Sequence, residues 1–317
     1  MATMRVVGVV EFGGPEAFQV VELPERHAGS GEVRIRIHAA AVNPTDTYTR
    51  NGARAEMLRK EPPPYVPGMD AAGVLDEVGP DVDTDLRVGD RVMAIVVPHG
   101  SHGAYADQIV LPAGAVTKAP AGSTHAEAAT LPMNGLTARL ALDLMGLEPG
   151  QTLAVTGAAG AFGGYMVQLG KADGLRVIAD ASEADEALVR DLGADVVVRR
   201  GDDVAANIRR AAPDGVDGLA DGSIQDALLL PAIRDGGVMA TVRGWKGPAD
   251  VERGITVHPV WVRDYATAHD KLDGLREQAE QGLVTLRVAR TLPMAQAGEA
   301  HRILEVGGTR GRLVLEW

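Results

Sequence analysis

Val155-Thr156-Gly157-Ala158-Ala159-Gly160-Ala161-Phe162-Gly163 decides how the rest of the chain is read. Gln151-Thr152-Leu153-Ala154 before it reads as the start of a strand, and Gly164-Tyr165-Met166-Val167-Gln168-Leu169-Gly170-Lys171 after it as a helix. A strand feeding a helix through small residues makes a phosphate site. The first amides of the helix lack partners within it, and the helix dipole adds positive potential there. Gly160 lets the backbone approach a diphosphate, and Gly163 lets the helix pack close to the sheet. Gly157, Ala159, Ala161 and Phe162 complete the candidate contacts. Asp180 ends the next strand, Leu175-Arg176-Val177-Ile178-Ala179, where an acid binds the ribose hydroxyls of a dinucleotide. The spacing G-x-x-G-x-x-G is not the commoner G-x-G-x-x-G, so a tight turn without ligand is the alternative. The strand before, the helix after and the acid beyond favour the dinucleotide.

Composition narrows the rest. The 317 residues suffice for two domains, each with its own core. Aromatics are only 3%, and short Leu, Val and Ala runs suit strands buried on both faces of a parallel sheet. The formal charge is 31 − 43 = −12, and basic residues cluster only in short pairs such as Arg199-Arg200 and Arg209-Arg210. That speaks against nucleic-acid and anionic-membrane partners. With no apolar run of bilayer length and no signal-peptide pattern, a soluble cytoplasmic protein is expected. Cysteine is absent, which removes disulfides, thiol nucleophiles and thiolate zinc sites. His99 and His102 read as part of a solvated glycine-rich loop, with no third metal ligand nearby.

Residues 1–122 read as β-rich: Glu32 to Ala39 alternates charged and apolar residues, and Pro-Gly and Gly-Asp turns precede Met69–Val74 and Arg91–Met93. Ser123 is expected to cap a helix at 123–129. From 123 to 290, strands at 153–156, 175–179, 195–198, 215–220 and 237–242 alternate with helices at 163–171, 183–192, 203–212 and 225–233. This is the βαβ rhythm of a doubly wound sheet. In 291–317 a helix ending at Gly307-Gly308 precedes a strand, Gly311 to Leu315, expected to rejoin the first domain.

Several motifs carry a resemblance that runs nearly end to end: Val42-Asn43-Pro44-Thr45-Asp46-Thr47-Tyr48, Pro67-Gly68-Met69-Asp70-Ala71-Ala72-Gly73, Val88-Gly89-Asp90-Arg91-Val92, Ala128-Ala129-Thr130-Leu131-Pro132, Leu136-Thr137-Ala138, the glycine turn, Leu192-Gly193-Ala194-Asp195 and the tail. The chain resembles the zinc-independent, zeta-crystallin-like quinone oxidoreductases of the medium-chain dehydrogenase/reductase superfamily. The resemblance implies an α/β protein: a GroES-like catalytic domain, a Rossmann domain and a cleft between them. It also implies a homodimer joined through the last Rossmann strands, here Val257 to Val262. An ordinary buried strand is the alternative for that segment. Zinc-dependent relatives carry a Cys near Asn43, a His-Glu pair at Met69-Asp70 and a four-Cys lobe; none is present, so no metal is expected. Without that Lewis acid, hydride addition to quinones or enones is favoured, because conjugation already spreads the developing charge.

The resemblance further implies that Tyr48 faces the substrate and donates a hydrogen bond and a late proton, with protonation by water as the alternative. Asn43 is implied to contact the nicotinamide ribose or the substrate, although a turn residue before Pro44 also has a structural explanation. Thr137 is implied to lie beside the cofactor. Val242, Arg243 and Gly244 end a strand on the ligand side of the sheet and flank the nicotinamide. Met69, Met133, Trp245 and Trp261 are candidate pocket residues. Asp180 and Asp185 replace the small residue and lysine of NADPH-using relatives, which leans the reading to NADH. Arg199 and Arg200, with Ser182, leave NADPH open. Two rival functions stay open: an enoyl-thioester reductase, with Arg50, Arg54, Arg59 and Lys60 meeting a carrier's phosphates, and a non-enzymatic dinucleotide-binding protein of structural or regulatory role.

Overall fold

The computed structural model describes residues 2–248 and 251–317. The chain forms two compact units. One comprises Met1–Met133, Arg263–Glu280 and Leu286–Trp317; the other comprises Asn134–Val262 and Gln281–Thr285.

The first unit is β-rich and GroES-like. Strands β1 (Thr3–Val9) and β2 (Phe18–Pro24) form a hairpin. Strands β3 (Glu32–Ala41), β4 (Asp70–Val78), β5 (Arg91–Ile95), β6 (Gln108–Pro112) and β7 (Val116–Lys118) build a larger sheet with β14 (Val288–Pro293) and β15 (Arg312–Glu316). The tail strand β15 returns to pair antiparallel with β3, Val314 opposite Ala41. Helices α1 (Asp46–Asn51) and α2 (Ala55–Leu58) lie between β3 and β4. Helix α3 (His125–Ala128) follows β7, and its cap is Thr124 rather than the expected Ser123. Thr124 and Glu127 form a reciprocal capping box that Ser123, one residue early, cannot make. The segment 263–280, including α8 (His269–Glu280), packs with this unit: Thr117 Oγ1 donates to Asp273 Oδ1 at 2.6 Å. Helix α9 (Ala297–Val306) precedes β15.

The second unit is a six-stranded parallel sheet in the order β10-β9-β8-β11-β12-β13. Its strands are β8 (Thr152–Thr156), β9 (Arg176–Ala181), β10 (Val196–Arg199), β11 (Val216–Asp221), β12 (Ile233–Thr241) and β13 (Thr256–Pro259). Strand order reverses between β8 and β11, the switch point where open α/β sheets bind ligands. Helices α5 (Ala161–Ala172), α6 (Glu186–Asp191) and α7 (Val204–Ala211) connect its strands, while α4 (Pro132–Met145) enters it. Ile178, Ile208, Leu219, Leu229 and Met239 share one core cluster. The helix expected at 225–233 is instead a 3-10 segment, Asp226–Ala232. Pro231 lies inside it, and left-handed Ile224 (φ 60) and Asp226 (φ 52) break the α path at its start.

Candidate coenzyme and acceptor sites

The glycine turn joins β8 to α5. Gly157 is left-handed (φ 67), and a Cβ there would stand 2.9 Å from the Gly222 backbone. A Cβ on Gly163 would collide with the Gly157 carbonyl oxygen, so the helix approaches the strand as closely as backbone permits. Gly160 is the N-cap of α5 and brings no side chain over the first-turn amides. Gly157, Gly160, Ala161 and Phe162 are half-buried at the mouth, whereas Ala159 and Gly163 are buried. The turn therefore combines small residues, backbone donors and a glycine N-cap, the features of a diphosphate cradle.

Asp180 is not at the mouth. It is 3% exposed and sits beneath the turn, where Oδ1 accepts from Ala158 N at 3.0 Å. Burial raises its pKa, while the Ala158 and Gly157 amides and the nearby Arg200 guanidinium oppose the rise. Lying at the penultimate position of β9, Asp180 braces the turn. Asp185 is also buried and accepts from Ser182 Oγ at 2.6 Å. Arg200 is exposed, and Arg199 lies 3.5 Å from Glu183. A second acid was missed by sequence reasoning. Asp221, ending β11, takes Thr156 Oγ1 (2.9 Å), Ser223 N (3.0 Å) and the Gln225 and Asp226 amides (both 2.8 Å). An acid at the carboxyl end of a switch-point strand was the available signal.

At the end of β12, Val242 is half-buried and Arg243 exposed, with both Arg243 (φ 64) and Gly244 (φ 90) left-handed. Trp261 is 40% exposed, and its ring approaches Gly244. Trp245 folds back on its own loop, donating its indole N–H to Pro248 O at 2.9 Å and packing on the sheet's core cluster. Thr137 is buried in α4.

In the β-rich unit the expected residues diverge. Asn43 is fully buried and both ends of its amide are used: Nδ2 donates to Asp70 Oδ2 (2.9 Å), and Oδ1 accepts from Arg312 Nη2 (2.6 Å). Asn43 thus has the structural role that was its alternative reading. Arg312 also donates to Asp70 Oδ2 at 3.0 Å, and Met133 N to Asp70 Oδ1 at 2.6 Å. Burial raises the Asp70 pKa against the pull of Arg312. Asp46 is held by Asn43 N, Gly68 N and the Tyr105 hydroxyl, and burial pushes its pKa up to about 6. Arg312 lies far from Asn43 and Asp70 in sequence, and only the return of β15 to β3 brings it in.

Met69 is half-buried, its sulfur 3.2 Å from Thr45 Oγ1, and Met133 is buried. Tyr48, on α1, is half-buried; the Arg54 guanidinium lies over its ring at 5.3 Å from the centroid. Donor chemistry here does not fit zinc. The one carboxylate at the position of the relatives' His-Glu pair is tied to a guanidinium, the other candidates are an amide and a thioether, and the chain has no cysteine.

Comparison with known proteins places these features in a family. Residues 29–121 match the alcohol dehydrogenase GroES-like domain, and residues 192–315 match a zinc-binding dehydrogenase domain. A 2-haloacrylate reductase from Burkholderia sp is 32% identical, with 96% of each chain covered. The quinone oxidoreductase of Mus musculus is 29% identical over 98% of this chain and 97% of its own. Among solved structures, a mycobacterial protein complexed with NADPH superposes with a TM-score of 0.85 at 29% identity, covering 99% of this chain and 100% of that one. No helix among the described residues is long and apolar enough to cross a membrane.

Proposed function

This chain belongs to the quinone oxidoreductase family of the medium-chain dehydrogenase/reductase superfamily, and from that premise we propose that it reduces quinones or the activated C=C bonds of enones and enals with NAD(P)H and without zinc. The observation that carries this reading is the glycine turn at the switch point, closed to any Cβ at Gly163 and braced from below by Asp180.

When bound, the reduced nicotinamide supplies the hydride. The chain's own residues do the rest. First-turn amides of α5 hold the diphosphate, and the backbone at Val242–Gly244, with Thr137, flanks the nicotinamide. Tyr48 presents a hydroxyl to the acceptor's carbonyl oxygen and supplies the final proton, directly or through water. Asn43 acts through Asp70 and Arg312, fixing the loop that carries Tyr48. Met69 and Met133 shape the acceptor's surroundings.

With Asp180 and Asp185 both buried and bonded within the protein, the argument for NADH loses its main support. The exposed Arg200 guanidinium favours a 2′-phosphate, so NADPH is the preferred coenzyme in this reading. Self-association through β13, the edge strand of the parallel sheet, belongs to the same reading. The thioester alternative loses one of its four cations, because Arg50 is buried in an ion pair with Glu305.

Steady-state oxidation of NADPH and NADH with 1,4-benzoquinone, an enone and a crotonyl thioester tests the whole. Turnover of the quinone or enone is expected, with NADPH about tenfold or more the better donor, as one or two charge-assisted bonds provide. Tight coenzyme binding without turnover of any acceptor overturns it in favour of a non-enzymatic role. Dominant thioester turnover overturns it in favour of the acyl reductase.

A further inference from the structure

The segment 46–60 carries four cations in a chain whose net charge is −12: Arg50, Arg54, Arg59 and Lys60. Several half-buried arginines are matched to acids, as Arg34 is to Glu25 and Asp76, Arg139 to Asp143 and Asp173, and Arg276 to Asp273 and Glu280, while Arg209 donates to the Ile233 carbonyl. Arg50 is likewise matched, to Glu305. Arg54 is not. It is half-buried, pairs with no carboxylate among the described residues, and lies instead over the Tyr48 ring. The placement is built into the chain path. Gly52 closes α1 in a left-handed conformation (φ 79), Arg54 opens α2, and the turn between them brings residue 54 back over residue 48.

A guanidinium held over a ring, with no carboxylate partner, keeps N–H groups for the fork that matches a carboxylate. The hydroxyl of the same Tyr48 has no hydrogen bond to the described residues. Resting on the function proposed above, we propose that Arg54 reads a carboxylate on the acceptor, so that the acceptors include short 2-enoic acids in their ionised form.

The chemistry explains why such a group is needed. Hydride forms the new bond to the β-carbon, and the π pair moves onto the α-carbon and an already anionic carboxylate. A proton from Tyr48 or water then closes the α C–H bond, the coenzyme having given up the two electrons. A fixed cation at that carboxylate offsets the second negative charge where it develops.

The coenzyme-loaded protein is assayed with 2-chloroacrylate and its methyl ester, as wild type, Arg54→Gln and Arg54→Lys. The ratio of kcat/KM for acid over ester is expected to fall about 10- to 100-fold in Arg54→Gln, the range of a charged hydrogen bond, with partial retention in Arg54→Lys. If Arg54 serves only to pack the hairpin, both substrates fall together and the ratio stays, which overturns the proposal. Calorimetric titration of the NADP⁺-loaded protein with 2-chloropropionate reads the same contact without turnover: binding by wild type that is lost in Arg54→Gln supports it, and no binding by wild type overturns it. An Arg54-dependent preference for a coenzyme A thioester over the free acid also overturns it, since the cation would then serve phosphates. Quinone turnover with no acid-over-ester effect of Arg54 leaves the broader function standing and removes this inference alone. Failure of every acceptor removes the broader function, and the titration still decides Arg54.

Discussion

The glycine turn of the parallel sheet and the polar cluster of the β-rich unit solve opposite problems. The turn is made of backbone. Its parts are contiguous, its geometry is enforced by the absence of side chains at Gly157 and Gly163, and one buried acid, Asp180, braces it. The cluster is made of side chains. Asn43, Asp46, Asp70, Tyr105, His301 and Arg312 come from widely separated segments and are buried together. The first presents backbone at a helix start; the second ties its carboxylates to Arg312, Asn43 and Tyr105, with Arg312 Nη1 and His301 Nδ1 buried without a hydrogen-bond partner. Contiguous backbone thus builds the first, and long-range pairing of charged and polar side chains the second.

If that contrast is right, breaking the cluster costs stability most. Arg312→Met leaves Asp70 buried without its counter-charge and Asn43 Oδ1 without a donor. A loss of ~3–5 kcal/mol is expected in denaturant unfolding, and an unchanged midpoint would show the cluster to be incidental. Gly163→Ala forces a Cβ against the Gly157 carbonyl, with an expected cost of ~1–3 kcal/mol. Its diagnostic effect is functional: coenzyme binding, followed by nicotinamide fluorescence, weakens at least tenfold, about 1.4 kcal/mol. Near-normal binding by a stably folded variant would sink the diphosphate assignment.

The remaining effect is a pH dependence. Burial lowers the His301 pKa to about 3, so the folded chain binds fewer protons than the unfolded one between there and the ordinary histidine range. Stability from this group is complete above pH ~6.5 and drains away as pH falls through that window. His301→Leu removes the titration, at the expense of the Tyr105 contact at 3.2 Å. The variant should lose less melting temperature than wild type on acidification from pH ~6.5 to ~4. Parallel losses would assign the acid sensitivity elsewhere.

What the sequence discloses follows the same division. The β8 to α5 turn, the alternation of strands and helices, and the tail strand are local patterns, and periodicity with glycine placement reports them. The helix misread at 225–233 failed because Pro231 and two left-handed residues override an apolar run. Asn43 and Asp180 stood out as positions, but their partners within the protein did not. Whether a polar side chain faces a ligand or a neighbour is fixed by register: Arg312 reaches Asn43 only because β15 pairs with β3, and Asp180 points at Ala158 only because β9 lies beside β8. Arg54 stood out as a charge; its ring partner emerged only from the turn at Gly52.

The brace under the glycine turn carries a further consequence for anyone who would retune this protein. Because Asp180 holds Ala158 and Gly157 in place from within the sheet, the cradle keeps its shape before any guest arrives. An exchange at that residue meant to swap one nicotinamide for another would slacken the cradle itself. Retuning would do better to begin at the rim, with Arg200 and Ser182, and leave the keystone alone.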